Sequence, residues 1–139
     1  MRRVDGAFVS TGESSIPFPI EGGIIKALIP HHADGHNALG DIAAFYEHNP
    51  FPNYDDTDDV GSLIEKSVSQ GFPEMLNRSI PANATILEAG CGTGQLGNFL
   101  SIVGRQVLSF DVCSNSLRLG QRFKEKNGLN SVTFAQMNL

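Results

Sequence analysis

Two acids and a run of glycines are the residues here whose types and spacing could do chemistry. Ile86-Leu-Glu-Ala-Gly-Cys-Gly-Thr-Gly-Gln-Leu-Gly97 takes an apolar strand into a carboxylate, Glu88, and then into a glycine-rich turn that opens a helix. That is the layout of a loop receiving a nucleotide cofactor. Gly90, Gly92 and Gly94 suit a turn that brings its backbone close to a ligand and takes dihedrals a Cβ would penalise. Glu88 bears on which cofactor it is, because a carboxylate just before the turn repels a pyrophosphate and suits a cofactor with a cationic end. The same glycines carry a rival reading. Gly92-x-Gly94-x-x-Gly97 satisfies the dinucleotide fingerprint, and Asp111 lies where that fingerprint expects a ribose-binding acid. A third reading needs no ligand: a tight strand-to-helix turn, with Glu88 as charge partner of the helix N-terminus and Asp111 as a cap.

The pattern Glu88-x-Gly90-x-Gly92-x-Gly94 resembles the first motif of class I S-adenosylmethionine-dependent methyltransferases. Phe110-Asp-Val-Cys-Ser-Asn-Ser-Leu117 is similar to the second signature of that family, an acid at a strand end followed by a Ser-rich helix start. The resemblance implies a Rossmann-like parallel sheet, S-adenosylmethionine as cofactor, and cofactor contacts from Glu88, Gly90, Cys91, Gly92, Gly94, Asp111, Val112 and Asn138. Glu88 would hold the methionyl ammonium, and Asp111 both ribose hydroxyls. Val112 would lie against the adenine, and Asn138 stands where many relatives carry an acid for the adenine amino group, a bond its amide oxygen can still accept. The methyl acceptor and the catalytic residues are not identified. The alternatives are an NAD-dependent oxidoreductase domain and a non-catalytic methyltransferase-like binding module.

Other clusters carry weaker chemistry. Tyr46-Glu-His-Asn-Pro-Phe-Pro-Asn-Tyr-Asp-Asp56 is too turn-rich for a helix interior. It resembles a stretch ahead of the cofactor loop in some methyltransferases, which makes Tyr46 and Tyr54 candidates for a lid, against the alternative of a structural wrap. Asn49-Pro50-Phe51 departs at its third position from the Asn-Pro-Pro-Tyr motif of amino-group methyltransferases, so it does not identify an acceptor. His31, His32 and His36 with Asp34 read as a solvated loop, and no metal site is expected. Asp55, Asp56, Asp58 and Asp59 read as solvated loop and helix-start acids, without the spaced ligands of a calcium loop. Cys91 and Cys113 lack Cys-x-x-Cys spacing and read as buried thiols.

The elements that must position these groups alternate in type after residue 80. The expectation is strand about 84–89, helix about 94–103, strand about 106–110, helix about 115–127 and strand about 131–136, a parallel α/β sheet. Leu96, Phe99, Leu100 and Val103 would form one helix face, and Leu117 and Phe123 part of another. Ser114 or Asn115 would cap the second helix and Asn127-Gly128 would stop it. Upstream, helices are expected over Val60–Gln70, with Leu63, Ile64 and Val68 at helical spacing, through Met75 and Leu76, and over Ala38–Glu47. Residues 1–35 read as a β-like leader and 36–139 as the N-terminal part of the methyltransferase domain. The leader is similar to the second half of a zinc ribbon but lacks its cysteines, so no metal is expected there.

The resemblance covers about the first half of such a domain, so the fragment is expected to be inactive alone. Its incomplete sheet would leave the third strand's neighbours or the central strand's far edge unpaired, which makes self-association a candidate. With 139 residues there is room for one ordinary domain. A net charge of -5 recommends neither nucleic acid nor an anionic membrane as partner, and no apolar run approaches a membrane span. A cytoplasmic location is the default expectation.

Overall fold

The computed structural model describes residues 2–4, 7–9, 16–28 and 51–138. The strands are β1 (Arg2–Val4), β2 (Ala7–Val9), β3 (Pro17–Glu21), β4 (Ile24–Lys26), β5 (Thr85–Ala89), β6 (Gln106–Asp111) and β7 (Val132–Gln136). The helices are α1 (Val60–Gln70), α2 (Phe72–Ser79), α3 (Gln95–Ser101) and α4 (Ser114–Lys126). The expected helix over Ala38–Glu47, the histidines at 31, 32 and 36, Tyr46 and the boundary at residue 35 all lie outside the described residues.

Strands run in the order β1-β2-β3-β4-β7-β6-β5. From β4 to β5 every pairing is parallel, while β1 to β4 pair antiparallel. The architecture is therefore α/β with a mostly parallel sheet. In register, Glu88 faces Ser109 and Ser109 faces Phe134, which in turn faces Ile24. Because side chains alternate along a strand, this row and the next one up, Asp111, Gln136 and Lys26, lie on one sheet face. The core forms on that face, where Ile24, Val107, Val132 and Phe134 meet Leu63, Phe99, Leu100, Leu117 and Phe123 from the helices. A smaller cluster on the other side joins Ile25, Phe110 and Ala135 to Phe18 and Ile20 of β3.

The sequence expectations need correction at several places. The outer edge of β7 is not left open: β4, from the leader, pairs with it, with Ala27 N–H donating to Gln136 O at 2.8 Å. The open edge belongs to β5, which pairs only with β6 among the described residues, and Leu87 beside it is 66% exposed. Helix α3 ends at Ser101, so Val103 falls past it and is exposed, while Asn98 and Ser101 take buried places. In α1 only Leu63 of the three apolar positions is buried; Ile64 and Val68 are exposed because α3 and α2 cover one narrow face between them. The cap of α4 is Cys113, whose Sγ accepts from Ser116 N–H, one residue earlier than expected. Nor is the acidic run wholly solvated. Asp59 caps α1 through Ser62, but Asp58 is buried and ion-paired with Lys66 at 2.8 Å.

Candidate cofactor site

The carboxyl ends of β5 and β6 bring the two acids to either side of the glycine turn. Glu88 points toward α3: its carboxylate accepts from the Ser109 hydroxyl at 2.6 Å and lies against Gly97. Gly97 is the third residue of α3, and Gly94 at the N-cap has no side chain to offer. Glu88 thus brings from a neighbouring strand a carboxylate to the helix start, where an Asp or Ser cap would stand locally. Burial pushes its carboxyl above the usual carboxylate range, against the pull of the Ser109 hydroxyl and the Gly97 backbone, and the Asp111 charge pushes the same way as burial.

Asp111 fastens the turn from the other side. One carboxylate oxygen accepts from Gly92 N–H and the other from Cys113 N–H, each at 2.9 Å. A carboxylate has about four lone-pair sites, so both oxygens keep acceptor capacity for further donors. Cys91 N–H donates to Phe110 O at 3.1 Å, which joins the turn to β6. The Cys91 thiol is buried, and burial raises its pKa with help from the Glu88 and Asp111 charges. It stays protonated at neutral pH and is no nucleophile. Cys91 and Cys113 are both free thiols.

The glycines divide by what lies next to them. Gly90, with φ 66°, has open space where a Cβ would stand, so this is the turn residue that presents bare backbone outward. Gly92, with φ 55°, would push a Cβ to within 2.7 Å of the Phe51 carbonyl oxygen. A Cβ on Gly94 would strike the Phe134 ring, and one on Gly97 would strike Ser109 Oγ and the Glu88 carboxylate. Ligand approach, the reason the sequence offers for all three motif glycines, therefore remains open only at Gly90; the chain itself fills the space at the other two.

Residues 51–54 form a strap over the turn. The Thr93 hydroxyl donates to Pro52 O, and the Gln95 side chain donates to Asn53 O at 2.8 Å. Tyr54 does not stand free as a lid. Its ring stacks on Phe123 with centroids 4.5 Å apart, and its hydroxyl accepts from Asn98 Nδ2 at 2.9 Å. Two aromatic faces and a buried amide hold it better than solvent would, so the wrap is made by backbone carbonyls.

Val112 and Asn138 follow β6 and β7 on the same sheet end. Val112 O accepts from Gln136 Nε2 at 2.9 Å. Several participants carry no signal in the sequence. Ser109, wholly buried, sits at an ordinary alternating position, and only the β5–β6 register reveals that it faces Glu88. Lys26 and Phe134 reach the site across pairings that no local pattern encodes.

A protein-family model described as "Tellurite resistance protein TehB" matches residues 75–139, somewhat under half of the chain. The chain is similar to a solved SAM dependent methyltransferase from Aquifex aeolicus, at 22% identity and a TM-score of 0.41, over 55% of this chain and 45% of that one. It is also similar to magnesium protoporphyrin IX methyltransferase (ChlM) from Synechocystis PCC 6803, solved with bound SAH, at 20% identity and a TM-score of 0.36. That likeness covers 78% of this chain and 42% of the other, so the chain spans less than half the length of either structure. Among curated proteins none matches.

Proposed function

We propose that the chain, with its mostly parallel α/β sheet and a glycine turn between two strand-end acids, is the cofactor-binding half of an S-adenosylmethionine-dependent methyltransferase. The observation that carries this reading is the place of Glu88. A helix N-terminus beside a glycine turn is where a pyrophosphate would be received, and here the Glu88 carboxylate from β5 already lies against it, beside Gly97. A second anion at that position meets like charge, whereas an ammonium meets attraction.

The residues present fit the cofactor. Gly90 leaves backbone open beside Glu88, and Asp111 keeps acceptor capacity on both oxygens after holding the turn. In this reading Glu88 pairs with the methionyl ammonium and Asp111 accepts the ribose hydroxyls. Val112 gives the adenine an apolar surface, and Asn138 accepts from its amino group. The cofactor brings a methyl group on a sulfonium, an already activated leaving group. The protein's share is then to hold and orient, with much of the rate coming from proximity. The proposed setting is cytoplasmic.

Asp111→Ala tests the assignment. Losing hydrogen bonds to a charged acceptor should weaken S-adenosylhomocysteine binding by roughly 1–3 kcal/mol, read by calorimetry on a variant whose circular dichroism shows it folded. Unchanged affinity removes Asp111 from the site.

A further inference from the structure

At the carboxyl end of the sheet one cross-strand row contains Asp111, Gln136 and Lys26, in register on β6, β7 and β4. Lys26 comes from the leader, yet its ammonium donates to Gln136 Oε1 at 2.8 Å and to Ser114 Oγ at 3.3 Å. The Gln136 amide then donates from Nε2 to Val112 O at 2.9 Å. An ammonium has donors only, so it draws the oxygen of the Gln136 amide to itself and turns the NH2 toward Val112. Without Lys26 the amide is free to rotate, and its oxygen facing Val112 O would repel.

The surroundings say what this lysine is not for. Ser114 opens α4, and a cation at a helix N-terminus opposes the helix dipole. Helix stability therefore gives no reason for a lysine there. Nor is the leader needed at this point for backbone pairing alone, since Ala27 N–H already closes the ladder on Gln136 O. What Lys26 adds is a fixed orientation of one amide, and that amide fixes the segment between Asp111 and Ser114.

We propose that Lys26 is a positioning residue for the adenine end of the cofactor site, acting through Gln136 on Val112. This rests on the S-adenosylmethionine reading and extends it, because it makes a leader strand part of the site. Lys26 orients the amide, the amide holds the Val112 carbonyl, and the Val112 side chain is thereby kept where a purine would pack.

The test compares Kd for S-adenosylhomocysteine and S-ribosylhomocysteine, which lacks the purine, in the whole chain. Wild type is expected to prefer the adenine form about tenfold or more, since only that form buries a purine against Val112. Lys26→Met should narrow that ratio at least threefold and shift the Gln136 side-chain amide resonances, while Lys26→Arg, which keeps a donor, should retain the ratio. A structural loosening would weaken both ligands alike and leave the ratio unmoved. Should Lys26→Met fail to fold, Gln136→Met removes the same relay from β7 and is expected to narrow the ratio equally. A folded Lys26→Met or Gln136→Met variant with the wild-type ratio overturns the inference and leaves the cofactor reading standing. No binding of S-adenosylhomocysteine by wild type overturns both.

Discussion

Glu88 is held by opposing demands. Ser109 and the Gly97 N–H favour its charged form, while burial and Asp111 disfavour it, and the second pair wins. Its folded-state pKa is therefore raised, so the folded chain binds this proton more tightly than the unfolded one. Stability falls as pH rises from the ordinary carboxylate range through the raised value, and the cost is fully present above it. Glu88→Gln keeps an acceptor for the Ser109 hydroxyl without the charge. The variant should melt above wild type at pH 7, by an increment worth about 1 kcal/mol, and the gap should close as pH is lowered through the raised pKa. It should also lose cofactor affinity. A variant melting below wild type at pH 7 would show that the charge stabilises the fold. Gly97 gives a second sign test. Inside a helix, Gly→Ala normally gains roughly 0.8–1.0 kcal/mol, but here the new Cβ meets Ser109 Oγ and the Glu88 carboxylate. Overpacking costs about 1–3 kcal/mol, so Gly97→Ala should lower the urea midpoint. A raised midpoint would mean that Glu88 is not where the structure has it. The acids and glycines were legible because they form a local pattern. The reasons for Gly94 and Gly97 were not, since Phe134 and Ser109 reach them only through strand pairing.

At the scale of elements, the strap and its anchor separate two kinds of tyrosine. A lid residue acts on ligand exchange and contributes little to stability, whereas Tyr54 stacks on Phe123 and accepts from the buried Asn98 amide. Tyr54→Ala should destabilise the chain by roughly 3–5 kcal/mol, the cost of emptying an aromatic site in a core, seen in urea denaturation. A loss below about 1 kcal/mol, the ordinary surface range, would return Tyr54 to the lid reading. Helices α1, α3 and α4 and strands β5 to β7 were legible from periodicity to within a few residues. The cap at Cys113 was missed because sulfur is a poor acceptor and two better candidates follow it. Arg105 was also silent. Its guanidinium is buried and donates to the Asn77 side chain and to carbonyls of Asn77, Ile80, Pro81 and Leu100, tying α2 to the entry of β6 with no ion pair to a carboxylate among the described residues. An arginine in a turn reads as solvated until the carbonyls around it are known.

For the whole molecule, the parallel sheet grows by a strand from the first thirty residues, and the leader's last strand covers the outer edge of β7, one of the two edges the sequence left open. A leader of short glycine-punctuated strands gives no local sign of its distant partner. The β5 edge is the one unpaired among the described residues of the parallel sheet. No helix among the described residues is long and apolar enough to cross a membrane. The central claim concerns which cofactor the turn receives, and parallel calorimetric titrations of the folded chain with S-adenosylhomocysteine and with NAD test it most directly. Selective binding of S-adenosylhomocysteine is the predicted result. Binding of NAD in its place would contradict the claim, because a pyrophosphate would then be sitting where the Glu88 carboxylate is held.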